Sequence, residues 1–265
     1  MFEQNIVLVQ LNWRGEVNAV GGGAGYSAKR NLVDAQLAAK HGRRRIEIAR
    51  WLIYEKITAG LDTLRDVLDK SPERDTATML VKKSLKETVA VFAAAPLATL
   101  LGIEGRAASA YFRSWYGLPL RWSGLKRTPI PESWREIGPR VMGWRDNSRN
   151  ARHPLNAMLN YGYGMLAGQV RIQAVAAGLD PSIGIMHGNK NNRIPLVYDL
   201  MEPLRPVVDC QILKFVRGHT FTPGDFTINE WGGCRLNPQM AKVVAAQVSG
   251  LKADRVVTDF LKFLR

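Results

Sequence analysis

The stretch that decides the fold is RRRIEIARWLIYEKITAGLDTLRDVLDK, residues 43–70. Its apolar side chains, such as Ile46, Ile53 and Ile57, recur every three or four positions. This spacing places them on one face of an α-helix. The same pattern predicts further helices on both sides, at residues 28–41, 74–95, 98–114, 154–177, 199–216, 237–248 and 252–264. The chain is therefore predicted to be mainly α.

The N-terminal residues show a β pattern instead. Residues 6–13, IVLVQLNW, form a β-branched apolar run, and a turn separates them from a weaker run at 17–20. The Gly-rich stretch that follows, at 21–25, is interpreted as a linker; a degenerate dinucleotide-binding loop is the alternative. We expect a residual β-hairpin and linker over residues 1–25, followed by a helical domain over 26–265. A second small hairpin or irregular insert is expected near the C-terminus, at residues 220–236.

Composition limits the class of protein. The chain has 265 residues, of which 46% are hydrophobic, so a sizeable core can form and global disorder is excluded. Lys and Arg total 37 against 23 Asp and Glu, which gives a net charge of +14. An excess of this kind indicates an anionic partner, usually nucleic acid, with a membrane surface as the alternative. No membrane anchor is evident, because the longest apolar stretch, residues 90–103, is short and contains Pro96.

The cysteine content points to a reducing compartment. Cys210 and Cys234 are too few for a disulfide framework or a four-thiolate zinc site. The first residues, MFEQN, lack the basic segment of a signal peptide. We therefore expect a cytoplasmic protein.

The polar region 178–209, predicted to be loop and extended chain over 178–198, carries residues that could do chemistry. His187 precedes a glycine, and Asp199 and Glu202 are three positions apart, on one face of the first turn of a predicted helix that Pro206 should kink. One histidine and two acids suit Mg²⁺ or Mn²⁺. The alternatives are a hydrogen-bonded loop histidine and surface acids that complement the helix dipole.

A third acid, Glu104, lies among apolar and small residues in LLGIEGRAASA, residues 100–110. Burying a carboxylate costs several kcal/mol unless it meets a cation or hydrogen-bond donors. The partner could be a metal ion, and the alternatives are ion pairs with Arg106 or Arg113. Glu104 is therefore a candidate member of a polar site inside the helical domain.

The segment 101–152 is the most basic part of the chain. It holds ten basic residues against four acidic ones, together with four of the seven tryptophans. Interleaved cations and aromatic rings suit a phosphate backbone and unstacked bases. A solvated basic loop with tryptophans in the core is the alternative. We expect backbone contacts to DNA from the following residues: Arg106, Arg145, Arg149, Arg152, Lys190 and Arg193.

Four motifs lie in order along the chain. They are EGRAA at 104–108, NAMLNYGYG at 156–164, GLDP at 178–181 with HG at 187–188, and LVYDLMEPLRP at 196–206 followed by Asp209. Together they resemble the CRISPR-associated integrase and endonuclease family called Cas1. Each motif alone is weak, but the combination is specific.

The resemblance implies a set of site residues and a reaction. It implies that Glu104, His187 and Glu202 bind one Mg²⁺ or Mn²⁺ ion, and that Asp199 is an accessory acid of the active site. The activity implied is a metal-dependent DNA endonuclease and integrase that inserts spacer DNA into a CRISPR array. A homodimer is implied, with the adaptation protein Cas2 as a candidate partner. Residues 1–20 stand where the family has a full β-domain, so the resemblance also implies that this β-domain is shortened.

Two other functions are left open by the sequence. One is a solo transposon-type integrase of the same superfamily. The other is a DNA-binding protein without catalysis. A nicking assay that depends on a divalent metal would separate the second from the two enzymes.

Overall fold

The computed structural model describes residues 8–11, 17–21, 28–138, 151–188, 194–230 and 232–265. Over these residues the protein is mainly α, as the sequence predicted. The helices are α1 Arg30–Ala39, α2 Gly42–Val67, α3 Pro72–Ala90, α4 Leu97–Arg113, α5 Pro154–Ala176, α6 Pro195–Met201, α7 Arg205–Gly218, α8 Pro238–Val248 and α9 Ala253–Phe263. Short 3₁₀ turns occupy Glu132–Trp134, Glu202–Leu204 and Pro223–Asp225.

The described strands are short and form two-stranded sheets. β1, Leu8–Leu11, pairs antiparallel with β2, Val17–Gly21, so the predicted N-terminal hairpin is present. β3, Arg121–Trp122, pairs parallel with β4, Thr220–Phe221. The predicted C-terminal hairpin is formed by β5, Phe226–Ile228, and β6, Cys234–Leu236. The division into a remnant over 1–25 and a helical domain stays a prediction. Of the Gly-rich stretch 21–25, Gly21 ends β2 and residues 22–25 lie outside the described residues.

Side-chain caps fix where several helices begin. The Ser71 hydroxyl accepts a hydrogen bond from the backbone N–H of Arg74, three residues into α3. Asn237 accepts from the backbone N–H of Met240 in the same way at α8. Each cap is followed by proline at the first helical position, where its missing N–H costs little. These boundaries agree with the sequence pattern within a few residues.

α2 forms the centre of the helical domain. Its apolar stripe, including Leu52, Ile53 and Leu64, is fully or almost fully buried. α2 packs against α3, α4 and α7, and α5 packs on the other side of α7. Gly162 permits the close approach of α5 and α7, because a Cβ atom there would lie 2.9 Å from Cγ1 of Val208. The acids of the candidate site lie on α4 and on the α6–α7 connection, against α2.

The predicted single helix over 199–216 is wrong. The structure has α6, then a 3₁₀ turn at Glu202–Leu204, and then α7. α6 also begins at Pro195, within a region expected to be loop and extended chain. Pro203 lacks the N–H that a continuous helix would use, so the helix is interrupted there. Pro206 then falls in the first turn of α7, where proline is tolerated.

Three tryptophans of the basic segment pack in or against the core rather than on a surface. Trp115 and Trp134 are buried, and Trp122 stacks on Trp134 with ring centroids 5.8 Å apart. The indole N–H of Trp122 donates to the backbone carbonyl of Trp134. For these three residues the expectation of base-stacking platforms is wrong, because their rings are packed against protein. Trp144 lies outside the described residues.

Candidate functional site

Two of the three acidic site residues meet at one lysine. Lys56, on α2, places its Nζ atom 2.5 Å from Oε1 of Glu104 and 2.5 Å from Oε2 of Glu202. The three side chains come from α2, α4 and the α6–α7 connection. Glu202 is buried, and Lys56 and Glu104 are only partly exposed. The fold therefore turns two carboxylates towards a single positive charge.

A second cation lies on the other oxygen of Glu202. Nε of Arg205 is 3.1 Å from Oε1 of Glu202. Burial raises the pKa of Glu202, but the charges of Lys56 and Arg205 outweigh this effect, and the net pKa is below the usual value. For Lys56, burial lowers the pKa, while the charges of Glu202 and Glu104 raise it, and the net pKa is above the usual value. Both groups are therefore charged at neutral pH.

Asp199 fixes the histidine loop from within the core. It is fully buried on α6, and its carboxylate accepts hydrogen bonds from the backbone N–H groups of Ile185, Met186 and His187. Its Oδ1 atom also lies 2.7 Å from Nδ1 of His187. This contact raises the pKa of His187 and leaves Nε2 as the ring nitrogen open to another partner. Asp199 is thus a support for His187, and the interpretation as a surface acid is wrong.

A buried aspartate and two tyrosines lie behind Arg205. The hydroxyl of Tyr111 donates to Asp209 at 3.1 Å, and the hydroxyl of Tyr163 donates to its other oxygen. Burial raises the pKa of Asp209 to about 7. The guanidinium of Arg205 lies 5.0 Å from the centre of the Tyr163 ring. A chain of contacts therefore joins Asp209 to Glu202 through Tyr163 and Arg205.

The structure brings together some of the predicted metal ligands. Glu104 and Glu202 converge on Lys56, and His187 is close enough for its charge to lower the pKa of Glu202. Within the described part of the chain, no group of three or more His, Cys, Asp or Glu side chains is positioned to hold a metal ion. The common site of Glu104, His187 and Glu202 therefore stays a prediction.

The donor set nevertheless suits a divalent cation. The two carboxylates already face one cation, and carboxylate oxygens with one imidazole are ligands that Mg²⁺ and Mn²⁺ accept. The alternative arginine partner of Glu104 is wrong: Glu104 binds Lys56, while Arg106 binds Glu87 at 2.6 Å. The alternative of a hydrogen-bonded loop histidine stays open, because His187 lies in a loop and hydrogen-bonds to a buried carboxylate.

The predicted DNA contacts are only partly covered by the structure. Arg106 is exposed on α4, and Arg152 is exposed just before α5. Their role in DNA binding stays a prediction. The remaining four residues lie outside the described part of the chain: Arg145, Arg149, Lys190 and Arg193.

Sequence reasoning missed Lys56 and Arg205 as site residues. A signal for Lys56 was present, since it follows Leu52 and Ile53 by four and three positions and so falls on the buried stripe of α2. A charged residue on such a stripe needs a partner. Arg205 gave a weaker signal: it is three residues after Glu202, the spacing of a helical ion pair.

Solved structures share this helical architecture and its connections. A CAS1 protein from Thermotoga maritima aligns with 99% of this chain and 78% of its own, with a TM-score of 0.71 and 19% identity. A structure titled "Casposase bound to integration product" aligns with 99% of this chain and 75% of its own, with a TM-score of 0.69 and 20% identity. These similarities define the class of fold.

The family follows from the sequence itself. The family model described as "CRISPR associated protein Cas1" matches residues 1–249, and the chain belongs to this family. The resemblance that the four motifs indicated is confirmed.

Two curated relatives carry the same family name. A Cas1 endonuclease of Pyrobaculum aerophilum is 30% identical over 233 residues, 84% of this chain and 70% of that protein. One from Methanospirillum hungatei is 38% identical over 154 residues, 57% of this chain and 41% of that protein. The matched region thus spans less than half of the Methanospirillum protein.

In the described residues, no helix is both long and apolar enough to cross a membrane.

Proposed function

We propose that the protein is a metal-dependent DNA endonuclease and integrase that inserts spacer DNA into a CRISPR array. The observation that carries this proposal is the convergence of Glu104 and Glu202 on one cation, at motif positions of the Cas1 family. The curated relatives are named as endonucleases, which supports nuclease chemistry. The net charge of +14 suits a polyanionic substrate.

The proposed reaction is a transesterification. The 3′-oxygen of the incoming DNA forms a bond to a target phosphorus, the bond from that phosphorus to the target 3′-oxygen breaks, and the proton of the attacking hydroxyl is transferred to the departing oxygen through solvent. With water as the nucleophile, the same site hydrolyses DNA. Mg²⁺ or Mn²⁺ held by Glu104, His187 and Glu202 would supply polarisation of the phosphate and neutralisation of developing charge.

The residues of this chain keep the donor atoms in place. Asp199 holds the ring of His187 through Nδ1, so that Nε2 stays available as a ligand. Arg205 forms an ion pair with one oxygen of Glu202, and the other oxygen lies against Lys56, which also contacts Glu104. Donor atoms that are held before substrate binds do not have to reorganise during the reaction, and this favours catalysis.

A strand-transfer assay tests the proposal. Purified protein is incubated with a short duplex carrying free 3′-hydroxyls and a plasmid carrying a leader and repeat, in Mn²⁺, Mg²⁺ or EDTA. We expect joined products with either metal and none in EDTA. Glu104→Gln should abolish joining, while Glu132→Gln should not, because Glu132 is exposed and pairs with the nearby Arg135. Joining by the Glu104 variant, or joining in EDTA, would overturn the proposal.

A solo transposon-type integrase is the second candidate. The structural similarity to a casposase favours it specifically. The same assay separates the two functions when the donor duplex carries terminal inverted repeats and the plasmid lacks a CRISPR repeat. Preference for the leader–repeat plasmid supports spacer integration, and preference for the inverted-repeat donor supports transposition. DNA binding without any nicking would support the non-catalytic alternative.

We also propose a homodimer with Cas2 as partner. Two similar structures are titled as complexes in which Cas1 is assembled with Cas2, which supports Cas2 as the partner. Light scattering on a sizing column would report the mass of the protein alone and after mixing with a cognate Cas2. A monomer that remains unbound would contradict both assignments.

A further inference from the structure

Lys56 occupies an unusual place for a lysine. Its ammonium lies directly between the carboxylates of Glu104 and Glu202, and its side chain is only 21% exposed. Since both carboxylate oxygens lie 2.5 Å from the same nitrogen, they are at most 5 Å apart. Two carboxylates this close repel each other strongly in a partly buried site unless a cation lies between them.

The four side chains that form ion pairs at the site sum to zero charge without any bound ion. Lys56 and Arg205 contribute two positive charges, and Glu104 and Glu202 contribute two negative ones. Two further acids lie nearby: Asp199 is engaged with His187 and the backbone of its loop, and Asp209 accepts hydrogen bonds from two tyrosines. A divalent cation that binds these carboxylates would create a local charge excess of +2, unless one of the resident cations leaves.

Of the two resident cations, Lys56 is the one suited to leave. A lysine carries its charge on a flexible stem with four rotatable bonds, so its ammonium can swing away while α2 stays in place. Arg205 has a second contact besides Glu202, because its guanidinium lies over the ring of Tyr163 in a cation–π interaction. Lys56 also contacts both carboxylates, whereas Arg205 pairs with Glu202.

We propose that Lys56 is an internal counterion that holds the two acids together in the metal-free protein and is displaced when a divalent cation binds them. The inference rests on the proposed function, because it takes Glu104 and Glu202 as metal ligands. It goes further in assigning Lys56 a role in controlling when the site accepts metal. Lys56 is a positioning residue here, with no assigned contact to the DNA.

Replacing Lys56 with an uncharged side chain tests whether a divalent cation displaces its ammonium. In Lys56→Met the side chain keeps a similar length and loses its charge, so Mn²⁺ no longer competes with a resident cation. Calorimetric titration with Mn²⁺ alone should give a dissociation constant about tenfold lower than that of the wild type. In EDTA the same variant should unfold at a lower temperature than the wild type, and saturating Mn²⁺ should remove most of that difference.

Lys83→Met is the matched control. Lys83 is exposed on α3, and its replacement removes one positive charge from the protein without touching the site. Its Mn²⁺ affinity and its unfolding temperature in EDTA should equal those of the wild type. A change of affinity in this control as large as that in Lys56→Met would show that net charge, rather than Lys56, governs binding.

A second measurement on the wild-type protein does not depend on a variant that folds. A lysine side chain enclosed between two carboxylates is shielded from an activated ester, whereas a lysine displaced into solvent is reached by the ester and reacts through its unprotonated amine. Mass spectrometry of the Lys56 peptide should therefore show faster acetylation at saturating Mn²⁺ than in EDTA, with Lys83 as the internal reference. An equal or slower rate in Mn²⁺ would overturn the inference.

The outcomes separate this inference from the proposed function. If the wild type binds Mn²⁺ and Lys56→Met binds it no more tightly, the inference is wrong and the proposed metal site stands. If neither protein binds Mn²⁺, the proposed metal site is wrong, and the inference is overturned with it. Tighter binding by Lys56→Met, together with faster acetylation in Mn²⁺, supports both.

Discussion

At the scale of single residues, Asp199 supports the structure, whereas His187 is proposed to take part in the chemistry. Asp199 is fully buried and accepts three backbone hydrogen bonds, while His187 is partly exposed in a loop. A buried carboxylate with several donors stabilises the fold, and a partly exposed imidazole contributes little to packing. The two residues touch, yet their replacements should have different consequences.

Asp199→Ala should lower the free energy of unfolding by about 3 kcal/mol, because three backbone N–H groups, one buried and two partly buried, lose their acceptor. His187→Ala should lower it by less than about 1 kcal/mol and remove most DNA cleavage and joining. Urea unfolding curves and the strand-transfer assay give the two readouts. Equal destabilisation by both replacements, or full activity of the histidine variant, would contradict this assignment.

Asp209 should make stability depend on pH. Burial raises its pKa from 3.8 to about 7 in the folded protein. The folded state therefore binds the carboxyl proton of Asp209 more tightly than the unfolded state. Its contribution to the free energy of unfolding is present below pH 3.8 and is lost as the pH rises towards 7. The loss is at most about 4 kcal/mol for a shift of this size.

Asp209→Asn should remove this dependence. The amide is neutral at every pH, and it can still hydrogen-bond with the hydroxyls of Tyr111 and Tyr163. The free energy of unfolding, measured between pH 4 and 8, should therefore fall less steeply for the variant than for the wild type. Parallel curves for the two proteins would show that the aspartate is ionised throughout this range.

At the scale of secondary-structure elements, the crossing of α5 and α7 is determined by one glycine. A Cβ atom at Gly162 would lie 2.9 Å from Cγ1 of Val208, a buried and β-branched side chain that cannot rotate freely. Gly164 lies two positions later on α5, is exposed, and has nothing within 4 Å of its Cβ position. The two glycines form a matched pair on one helix.

Gly162→Ala should destabilise the protein by about 1–3 kcal/mol, because the added methyl group forces the two helices apart. Gly164→Ala should be neutral or stabilising by up to about 1 kcal/mol, since alanine favours the helix. Thermal or denaturant unfolding of the three proteins measures the difference. If both variants are more stable than the wild type, helix propensity outweighs the close contact.

At the scale of the whole molecule, positive charge should govern DNA affinity. Reversing the charges of Arg145, Arg149 and Arg152 should weaken binding to all sequences alike and flatten the salt dependence by about 0.9 for each phosphate that the protein no longer neutralises. Reversing Lys82, Lys83 and Lys86 on α3 changes the net charge equally and serves as the control. Fluorescence anisotropy over a range of salt concentrations gives both slopes.

Glu104→Ala should separate binding from chemistry in the same assay. It removes a negative charge next to the proposed phosphate path, so affinity should stay equal or rise while joining is lost.

If the arginine variants keep the wild-type salt slope, the basic segment is a solvated surface. The DNA path should then be sought on the basic helices within 28–56 or 242–265.

Much of the architecture could be predicted from the sequence because helices depend on local spacing. The apolar periodicity of α2, α4 and α5 predicted their positions within a few residues. The connection between α6 and α7 was not predicted. Its 3₁₀ turn places Glu202 against α2, and that contact depends on packing between distant segments.

The sequence by itself determined the family, the mainly helical fold and the candidate ligands Glu104, His187 and Glu202, because motifs and periodicity are local properties. The tertiary structure decided which charges meet. Lys56 reaches Glu104 across 48 residues of sequence and Glu202 across 146. It also decided that Asp199 supports His187 from the core. Long-range contacts of this kind arise only when helices pack, because no local pattern specifies which side chain lies opposite another.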